Sequence, residues 1–440
     1  MIPPASEALT AEELQDVWPI LSRDERAEGF TLLPADEADD FFLGLSTRDQ
    51  AELLMELREG ARRRWVRLLP PDDAADLVQE LDPDDRVHVI DFLDPVTRRE
   101  VSALLAYEED EAGGLMSPRF ARVRREMTVD EAITYLRRQA RRRLETIYYA
   151  YVLDAEQRLQ GVVSFRELFA SPGDRPIHEV METELVTVPE HMDQEALSLL
   201  LAENDLLALP VLDSQGRMKG IVTVDDIVDV VQEEATEDIQ KAGGMEALDA
   251  PYFDVGLAAM VRKRGVWLVV LFIGEMLTAT AMAHFQDEIA RAVVLASFVP
   301  LMISSGGNTG SQASTLVIRA MALGEVRLRD WWRVIRREVA TGFALGLILA
   351  AIGFVRILVW QAVGHVYGPH YMLVAAVVAF SLVGIVLWGT VTGSMLPLVL
   401  RRLGLDPANS SAPFVATLVD VTGLVIYFSI AQMILGGTLL

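Results

Sequence analysis

Pro300-Leu-Met-Ile-Ser-Ser-Gly-Gly-Asn-Thr-Gly-Ser-Gln-Ala-Ser-Thr-Leu316 lies inside a long apolar segment. A helix running through lipid is expected to read as Leu, Ile and Val at this depth. Instead Ser304, Ser305, Gly306, Gly307, Asn308, Thr309, Gly310, Ser311 and Gln312 form an uncharged, glycine-rich polar run. Polar or irregular backbone at membrane depth is tolerated only where it is buried in protein or lines a watery cavity. Small residues also let neighbouring helices approach closely, which is packing without any permeant. A polar run this long favours a break in the helix that lines a permeation path, with Gly306, Gly307, Asn308 and Gly310 on its wall.

Around this stretch, five apolar segments reach the roughly 20 residues needed to span a bilayer. They lie near 265–284, 292–318, 339–363, 371–400 and 413–438. With the N-terminus inside, the inner loops carry Arg262, Lys263, Arg264, Arg319, Arg327, Arg329, Arg333, Arg336, Arg337, Arg401 and Arg402. The outer loops carry only Arg291, with His284, His365 and His370, so the excess of positive charge fixes the orientation. Five spans then put the C-terminus outside. Charged residues inside a span are costly and functional by default. Asp420 is the foremost of these, in Pro413-Phe-Val-Ala-Thr-Leu-Val-Asp-Val-Thr-Gly423, with Ala416 and Thr417 one turn earlier on the same face. An internally paired Asp420 needs a cationic partner, and the basic residue deep in a span, Arg356, belongs nearer the outer end. Glu275 in the first span is either a helix-packing contact or a charge at the pore mouth.

The charge is as unevenly divided as the hydropathy. Residues 1–260 hold 56 Asp+Glu against 26 Lys+Arg, and residues 261–440 hold 8 against 13. A soluble acidic part is therefore joined to a membrane part. Its charge excludes nucleic acid as a natural partner and favours divalent cations, because an acidic face is repelled by an anionic leaflet unless cations intervene. The absence of cysteine excludes disulfides and thiolate metal sites. No secretory signal peptide precedes the acidic N-terminus, so the soluble half is expected to stay cytoplasmic. The chain has no P-loop, no nucleophile beside a base and no metal-ligand histidine spacing, which speaks against an enzyme.

The soluble part is built from repeats. Leu32-Leu-Pro-Ala-Asp-Glu-Ala-Asp39 recurs as Leu68-Leu-Pro-Pro-Asp-Asp-Ala-Ala-Asp76, and a looser copy starts at Phe92-Leu-Asp-Pro95. Proline and aspartate at such starts suit a helix N-terminus, and stacked hairpins of this period form a small superhelix. A second duplication sets Tyr151-Val-Leu-Asp-Ala-Glu-Gln-Arg-Leu-Gln-Gly161 against Pro210-Val-Leu-Asp-Ser-Gln-Gly-Arg-Met-Lys-Gly220. Each copy reads as strand, turn, strand and then a helix opening at Arg166 or Asp225. This resembles a tandem pair of cystathionine-β-synthase-type (CBS) domains. Such pairs bind adenine nucleotides in the cleft between copies, or serve only as dimerising modules. The first alternative makes Tyr149, Arg166 and Asp225 candidates for base, phosphate and ribose contacts and ATP a candidate ligand.

After the second copy, Asp226, Asp229, Glu233 and Glu237 recur at three or four residues and share one helix face. Like charges at that spacing repel, so the face is costly unless a cation neutralises it or water solvates it. Gly243-Gly244 ends this acidic helix, and a second amphipathic stretch runs to Arg262-Lys-Arg264.

Gly306-Gly-Asn-Thr-Gly-Ser-Gln312, with Pro300 ahead and Leu316-Val-Ile-Arg-Ala320 behind, resembles the signature of MgtE magnesium channels, and the likeness extends over nearly the whole chain. It implies a multidomain integral membrane protein: an all-α superhelical N-terminal domain (1–115), an α/β tandem CBS pair (116–234), an acidic linker and plug helix (235–264) and a five-helix α transmembrane pore domain (265–440). It implies a homodimer, multi-pass in the cell inner membrane among its lipids, with Mg²⁺ as both substrate and regulator. Asp420 matches the pore ligand, with the carbonyl of Ala416 beside it and Thr417 near. Glu195, Asp205, Asp226, Asp229, Glu234, Glu237 and Asp238 match positions where Mg²⁺ joins the cytoplasmic domains. Ala412 departs from the pattern, because other members carry a polar residue there and the cytoplasmic mouth loses one amide. Two other classes compete. An ion-coupled secondary transporter also uses broken helices and a midspan carboxylate, and a nucleotide-sensing membrane receptor leaves Asp420 unexplained.

Overall fold

The structure is a computed structural model that describes residues 9–439 apart from 141–143, 145–147, 249 and 254. The chain divides into two compact units, Met1–Val231 and Gln232–Leu440.

In the first unit, residues from Ala11 to Leu104 form a run of short α-helices. Their starts are written in the sequence. Thr10 with Glu13 and Ser22 with Glu25 form capping boxes, in which hydroxyl and carboxylate satisfy each other's free backbone N–H groups. Pro34 and Pro70 precede the helices Ala35–Leu43 and Pro71–Gln79 at equivalent places in the repeat. Asp94 accepts hydrogen bonds from Val96 N and Thr97 N to open Pro95–Leu104. The apolar faces meet in an aromatic centre where the Trp65 ring lies 4.8 Å from Phe30 and 5.2 Å from Phe42.

Two three-stranded sheets follow. β1 (Arg122–Val123) runs parallel to β2 (Tyr149–Leu153), which pairs antiparallel with β3 (Leu159–Ser164). β4 (Val188–Pro189), β5 (Ala208–Leu212) and β6 (Met218–Thr223) repeat the pattern. The duplication extends to register. Tyr149 opposite Ser164 recurs as Ala208 opposite Thr223, and the irregularity at Val152/Leu153 recurs at Val211/Leu212. Helices open directly after β3 and β6. Ser164 caps Phe165–Ala170, and Val224–Ala242 starts with Thr223 Oγ1 donating to Asp226 at 2.9 Å. The boundary between the units falls inside this second, acidic helix.

The second unit holds five helical spans: Leu257–His284, Val293–Ala322, Leu328–Gly364, Tyr371–Arg402 and Ala412–Leu435. Two sequence expectations are corrected here. The polar run 304–312 is not a break, because Val299–Ala322 is one continuous α-helix. Its glycines are compensated by tight packing instead. A Cβ on Gly389 of the fourth span would stand 2.6 Å from the Gly306 carbonyl oxygen, and one on Gly393 would collide with the Gly310 carbonyl. Small residues thus draw two helix backbones together, as small-xxx-small pairs do in membranes. Gly342 and Gly346 make the same kind of approach to Leu387 and Val383.

The second correction concerns the plug helix. The acidic helix ends at Ala242, and Gly244 takes a left-handed φ of +77°. The described residues from Gly243 to Gly256 form no helix, and helix resumes only at Leu257, continuing unbroken through Arg262-Lys-Arg264 into the first span. Two glycines, Pro251 and Gly256 within so short a stretch deny it a helical hydrogen-bond ladder. Lys263 is buried there, and its ammonium donates to the Ala247 carbonyl.

Candidate functional site

The fifth span begins with Ser411 capping Ala412–Leu435, its Oγ accepting from Phe414 N. Asp420 stands two turns in. The second span meets this face through Gly307, where an added Cβ would lie 3.3 Å from Ala416 Cβ and 3.5 Å from Asp420 Oδ1. The tight contact is with Ala416, whereas the carboxylate would be met at ordinary van der Waals distance. Ser311 Oγ donates to the Ala412 carbonyl at 3.0 Å, and Ser314 Oγ donates to the Ser410 carbonyl at 2.8 Å, which pins the start of the fifth span. The first span closes the other side. Trp267 Nε1 donates to Ser411 Oγ at 3.2 Å, and a Cβ on Gly274 would sit 2.8 Å from Thr417 Cγ2.

The polar run therefore has two faces. Gly306 and Gly310 are buried against Ile385, Val415, Val419 and Gly389, and serve packing rather than forming a wall. Gly307 faces Ala416 and Asp420. Ser304, Asn308, Gln312 and Thr315 form an exposed stripe, with Asn308 Nδ2 donating to Ser304 Oγ at 3.3 Å. Thr417 Oγ1 donates back to the Pro413 carbonyl at 3.0 Å, which leaves its oxygen lone pairs open to a ligand. Among the described residues, the Asp420 carboxylate has no hydrogen-bond or ion-pair partner. Arg356 is spent elsewhere, its guanidinium 5.9 Å from the Phe298 ring centroid and 5.5 Å from that of Trp360. The charged group that does act on Asp420 is a like one, Glu275.

The acidic helix contributes to a second kind of site. Within the first unit, Asp73 in the repeat helix Pro71–Gln79 has its carboxyl pushed up by burial, then by the charges of Asp225 and Asp229. Sequence reading named the latter two but not Asp73, whose signal was its place in the Pro-Pro-Asp-Asp helix start. Asp226 caps its own helix, accepting from Thr223 N at 3.1 Å. Glu195 opens the helix Gln194–Glu203 and Asp205 follows that helix with a φ of +53°, both exposed. Glu234 lies midway along the acidic helix.

Within the second unit, Lys241 Nζ lies 2.6 Å from Asp406 Oδ2 and also pairs with Glu237. Burial opposes the lysine's charge, but these two carboxylates hold it protonated. For Asp238, burial followed by the charge of Asp406 pushes its carboxyl up, and the opposing charge of Lys241 only partly offsets this. Asp406, in the loop between the fourth and fifth spans, escaped sequence reading because a lone loop aspartate carries no pattern. Among the described residues, no three His, Asp or Glu side chains gather closely enough to hold a metal ion alone.

Of the nucleotide candidates, Tyr149 lines a cavity of about 160 Å³ between the two CBS copies, together with Tyr151, Glu182, Asn204 and Pro210. The Tyr151 hydroxyl is buried there without a hydrogen-bond partner. Arg166 and Asp225 are exposed and lie outside the lining.

Comparison with known proteins covers nearly the whole chain. The family described as MgtE, divalent cation transporter, matches residues 299–430, the MgtE intracellular N domain matches 9–110, and CBS domains match 112–172 and 177–233. The magnesium transporter MgtE of Thermus thermophilus is 43% identical over 432 residues, 98% of this chain and 94% of that protein. That of Bacillus subtilis is 32% identical over 408 residues, 92% and 88% of the two chains. Among solved structures, the cytosolic domain of the Mg²⁺ channel MgtE in complex with ATP aligns with a TM-score of 0.47 at 43% identity, covering 50% of this chain and 90% of that one.

Proposed function

The chain belongs to the MgtE family of magnesium transporters, and from that premise we propose that it is a homodimeric, Mg²⁺-selective channel held shut by cytosolic Mg²⁺. The observation that carries the pore is the unpartnered Asp420 carboxylate opposite Gly307, beside the exposed stripe Ser304, Asn308, Gln312 and Thr315. Lipid cannot satisfy such a stripe, so it faces water or a second chain. Two chains meeting on an axis bring two Asp420 carboxylates to one dication. Mg²⁺ dehydrates reluctantly and prefers oxygen ligands, so it passes with most of its water shell, held through those waters. Glycine at 307 and alanine at 416 keep the path wide enough for a hydrated ion. The unbroken second span favours a channel over an ion-coupled carrier, whose sites are built from discontinuous helices.

The gate rests on the acidic helix. Asp73, Asp225 and Asp229 crowd like charges, and so do Asp238 and Asp406. Cytosolic Mg²⁺ relieves the repulsion and holds these elements together. When it falls, the carboxylates push apart and the pore is released. The soluble part and the arginine-rich loops lie in the cytoplasm and the C-terminus lies outside. ATP in the CBS cleft, stacked beside Tyr149, tunes this response. The boundaries at 115, 234 and 264 separate sensor, nucleotide module, linker and pore in this scheme.

Mg²⁺ flux into liposomes carrying the purified protein tests the proposal, with wild type beside Asp420→Asn and internal Mg²⁺ varied. Wild type conducts, internal Mg²⁺ suppresses that flux, and the variant does not conduct. Equal flux through both proteins sinks the pore assignment, and flux that needs a co-ion sinks the channel.

A further inference from the structure

Outside the cation path, a cluster of arginines lies where the third span begins. A 3₁₀ turn, Leu328–Asp330, leads into the helix Trp331–Gly364. Arg329, Arg333, Arg336 and Arg337 line an open cavity of about 570 Å³ together with Asp330 and Trp332. Four guanidiniums meet one carboxylate there. That carboxylate is committed, since Asp330 accepts from Arg333 at 3.3 Å and from the Arg327 backbone N at 3.1 Å. Among the described residues, Arg329, Arg336 and Arg337 make no salt bridge, and Arg337 feels only the charge of the neighbouring Glu338. Three exposed cations around one hollow repel one another unless an anion fills it.

The setting says which anion. At 1.5 Å per residue, a 34-residue helix is about 50 Å long, well beyond a hydrocarbon core of roughly 30 Å. Its arginine end therefore stands in the headgroup layer. Trp331 and Trp332 are both exposed there, their rings 5.6 Å apart, as aromatic side chains at a membrane–water boundary are. Below Arg336, Val339, Phe343 and Leu347 follow at helical spacing on one face and are all exposed. Retention of arginines on one side of the membrane needs only their number. It does not need them to converge on a hollow with an indole wall above an apolar track.

We propose that this hollow binds the headgroup of an anionic phospholipid, phosphate against Arg329, Arg336 and Arg337 and acyl chain along Val339, Phe343 and Leu347. Guanidinium forks match phosphate oxygens in pairs. Basic pockets beside transmembrane helices favour two-phosphate headgroups such as cardiolipin, and three arginines without a salt bridge here prefer such a headgroup to a single phosphodiester. The site is separate from Asp420 and survives even if the channel assignment fails.

The test is lipid binding to the full-length protein in detergent, followed by native mass spectrometry with cardiolipin, phosphatidylglycerol, phosphatidylcholine and inorganic phosphate as probes. Wild type should favour cardiolipin over phosphatidylcholine. Arg336→Gln/Arg337→Gln should lose roughly 30-fold in cardiolipin affinity, at about one kilocalorie per arginine near the surface. Arg336→Lys/Arg337→Lys keeps the charge and loses the fork, and should fall between. Arg329→Gln supplies a single-site check should the double variant fold poorly, and should weaken cardiolipin binding in the same direction. No preference for anionic lipid in wild type, or an unchanged preference in Arg329→Gln and the double Gln variant, overturns the site. Displacement of bound lipid by inorganic phosphate at equal phosphate concentration overturns the lipid as its occupant.

Discussion

In the soluble unit Asp73 faces Asp225 and Asp229 from another helix, whereas in the membrane unit Asp420 faces a glycine and feels only the like charge of Glu275. The first group is crowded but close to water. Asp225 and Asp229 are exposed, so ions from solution reach them and repulsion is relieved in proportion to ion concentration. The second carboxylate is half-buried in a span and has no cationic partner among the described residues, so on the proposed function it gains most from a dication in transit. On the proposed function, the same side chain is a concentration sensor in one place and a ligand for passage in the other. What differs is access to counter-ions.

Replacing Asp420 gives the largest expected effect. Asp420→Asn removes charge with little change in shape, and losing about 3 kcal/mol of ion stabilisation corresponds to roughly a 100-fold drop in Mg²⁺ flux. Purified protein in liposomes measures it. Flux within twofold of wild type would erase the contrast, because the membrane carboxylate would then be inert.

Next comes the packing between the second and fourth spans. Gly389→Val places a side chain against the Gly306 carbonyl, 2.6 Å from where its Cβ must sit. Overpacking of this kind costs about 1–3 kcal/mol. The yield of monodisperse protein and its thermal midpoint in detergent should both fall. A midpoint equal to wild type would return Gly306 to the pore wall.

Asp73→Asn sharpens the soluble side. Burial and its two carboxylate neighbours raise the pKa of Asp73, so its ionisation opposes the closed arrangement as pH rises above the usual carboxylate range. Removing that charge should protect the soluble half from protease in the absence of Mg²⁺. The Mg²⁺-dependent gain in protection should shrink about threefold, as expected for a loss of under 1 kcal/mol in a partly solvated charge pair. An undiminished gain would detach Asp73 from the sensor.

Much of this was legible beforehand, for reasons that differ by region. The CBS duplication was readable because strand register is a local, period-two property. Tyr151-Val-Leu-Asp and Pro210-Val-Leu-Asp dictate the same turn twice. The five spans follow from apolar length alone. The polar run misled because composition does not separate a helix that breaks from one that packs. Gly306 and Gly310 are paid back by Gly389 and Gly393, about eighty residues on, and no local pattern records that partner. The stretch to Arg264 misled through its amphipathic spacing, which Gly243, Gly244, Pro251 and Gly256 override. Asp73 and Asp406 acquire meaning only from what folds against them.

The smallest expected effect lies at Asp213, a carboxylate of the soluble unit with its donors built in. It follows β5 and accepts from Gln215 N at 2.9 Å, Arg217 N at 2.9 Å and Arg217 Nε at 2.8 Å. Burial works against its charge, but the Arg217 and Gln215 hydrogen bonds prevail and hold its pKa at about 2, against 3.8 ordinarily. The folded state therefore binds the proton less tightly than the unfolded state. The stabilisation is complete above the ordinary value and is lost as pH falls through 3.8 toward 2. Asp213→Asn should lower the unfolding midpoint at neutral pH by about 2–4 °C, as a loss near 1 kcal/mol does in a unit of this size. The gap to wild type should close between pH 4 and pH 2. Mg²⁺ should leave that gap unchanged, because a carboxylate already saturated by its own turn has nothing to offer an ion. A gap that widens with Mg²⁺ would place Asp213 with Asp73 and Asp229, and access to counter-ions would no longer separate sensor carboxylates from structural ones.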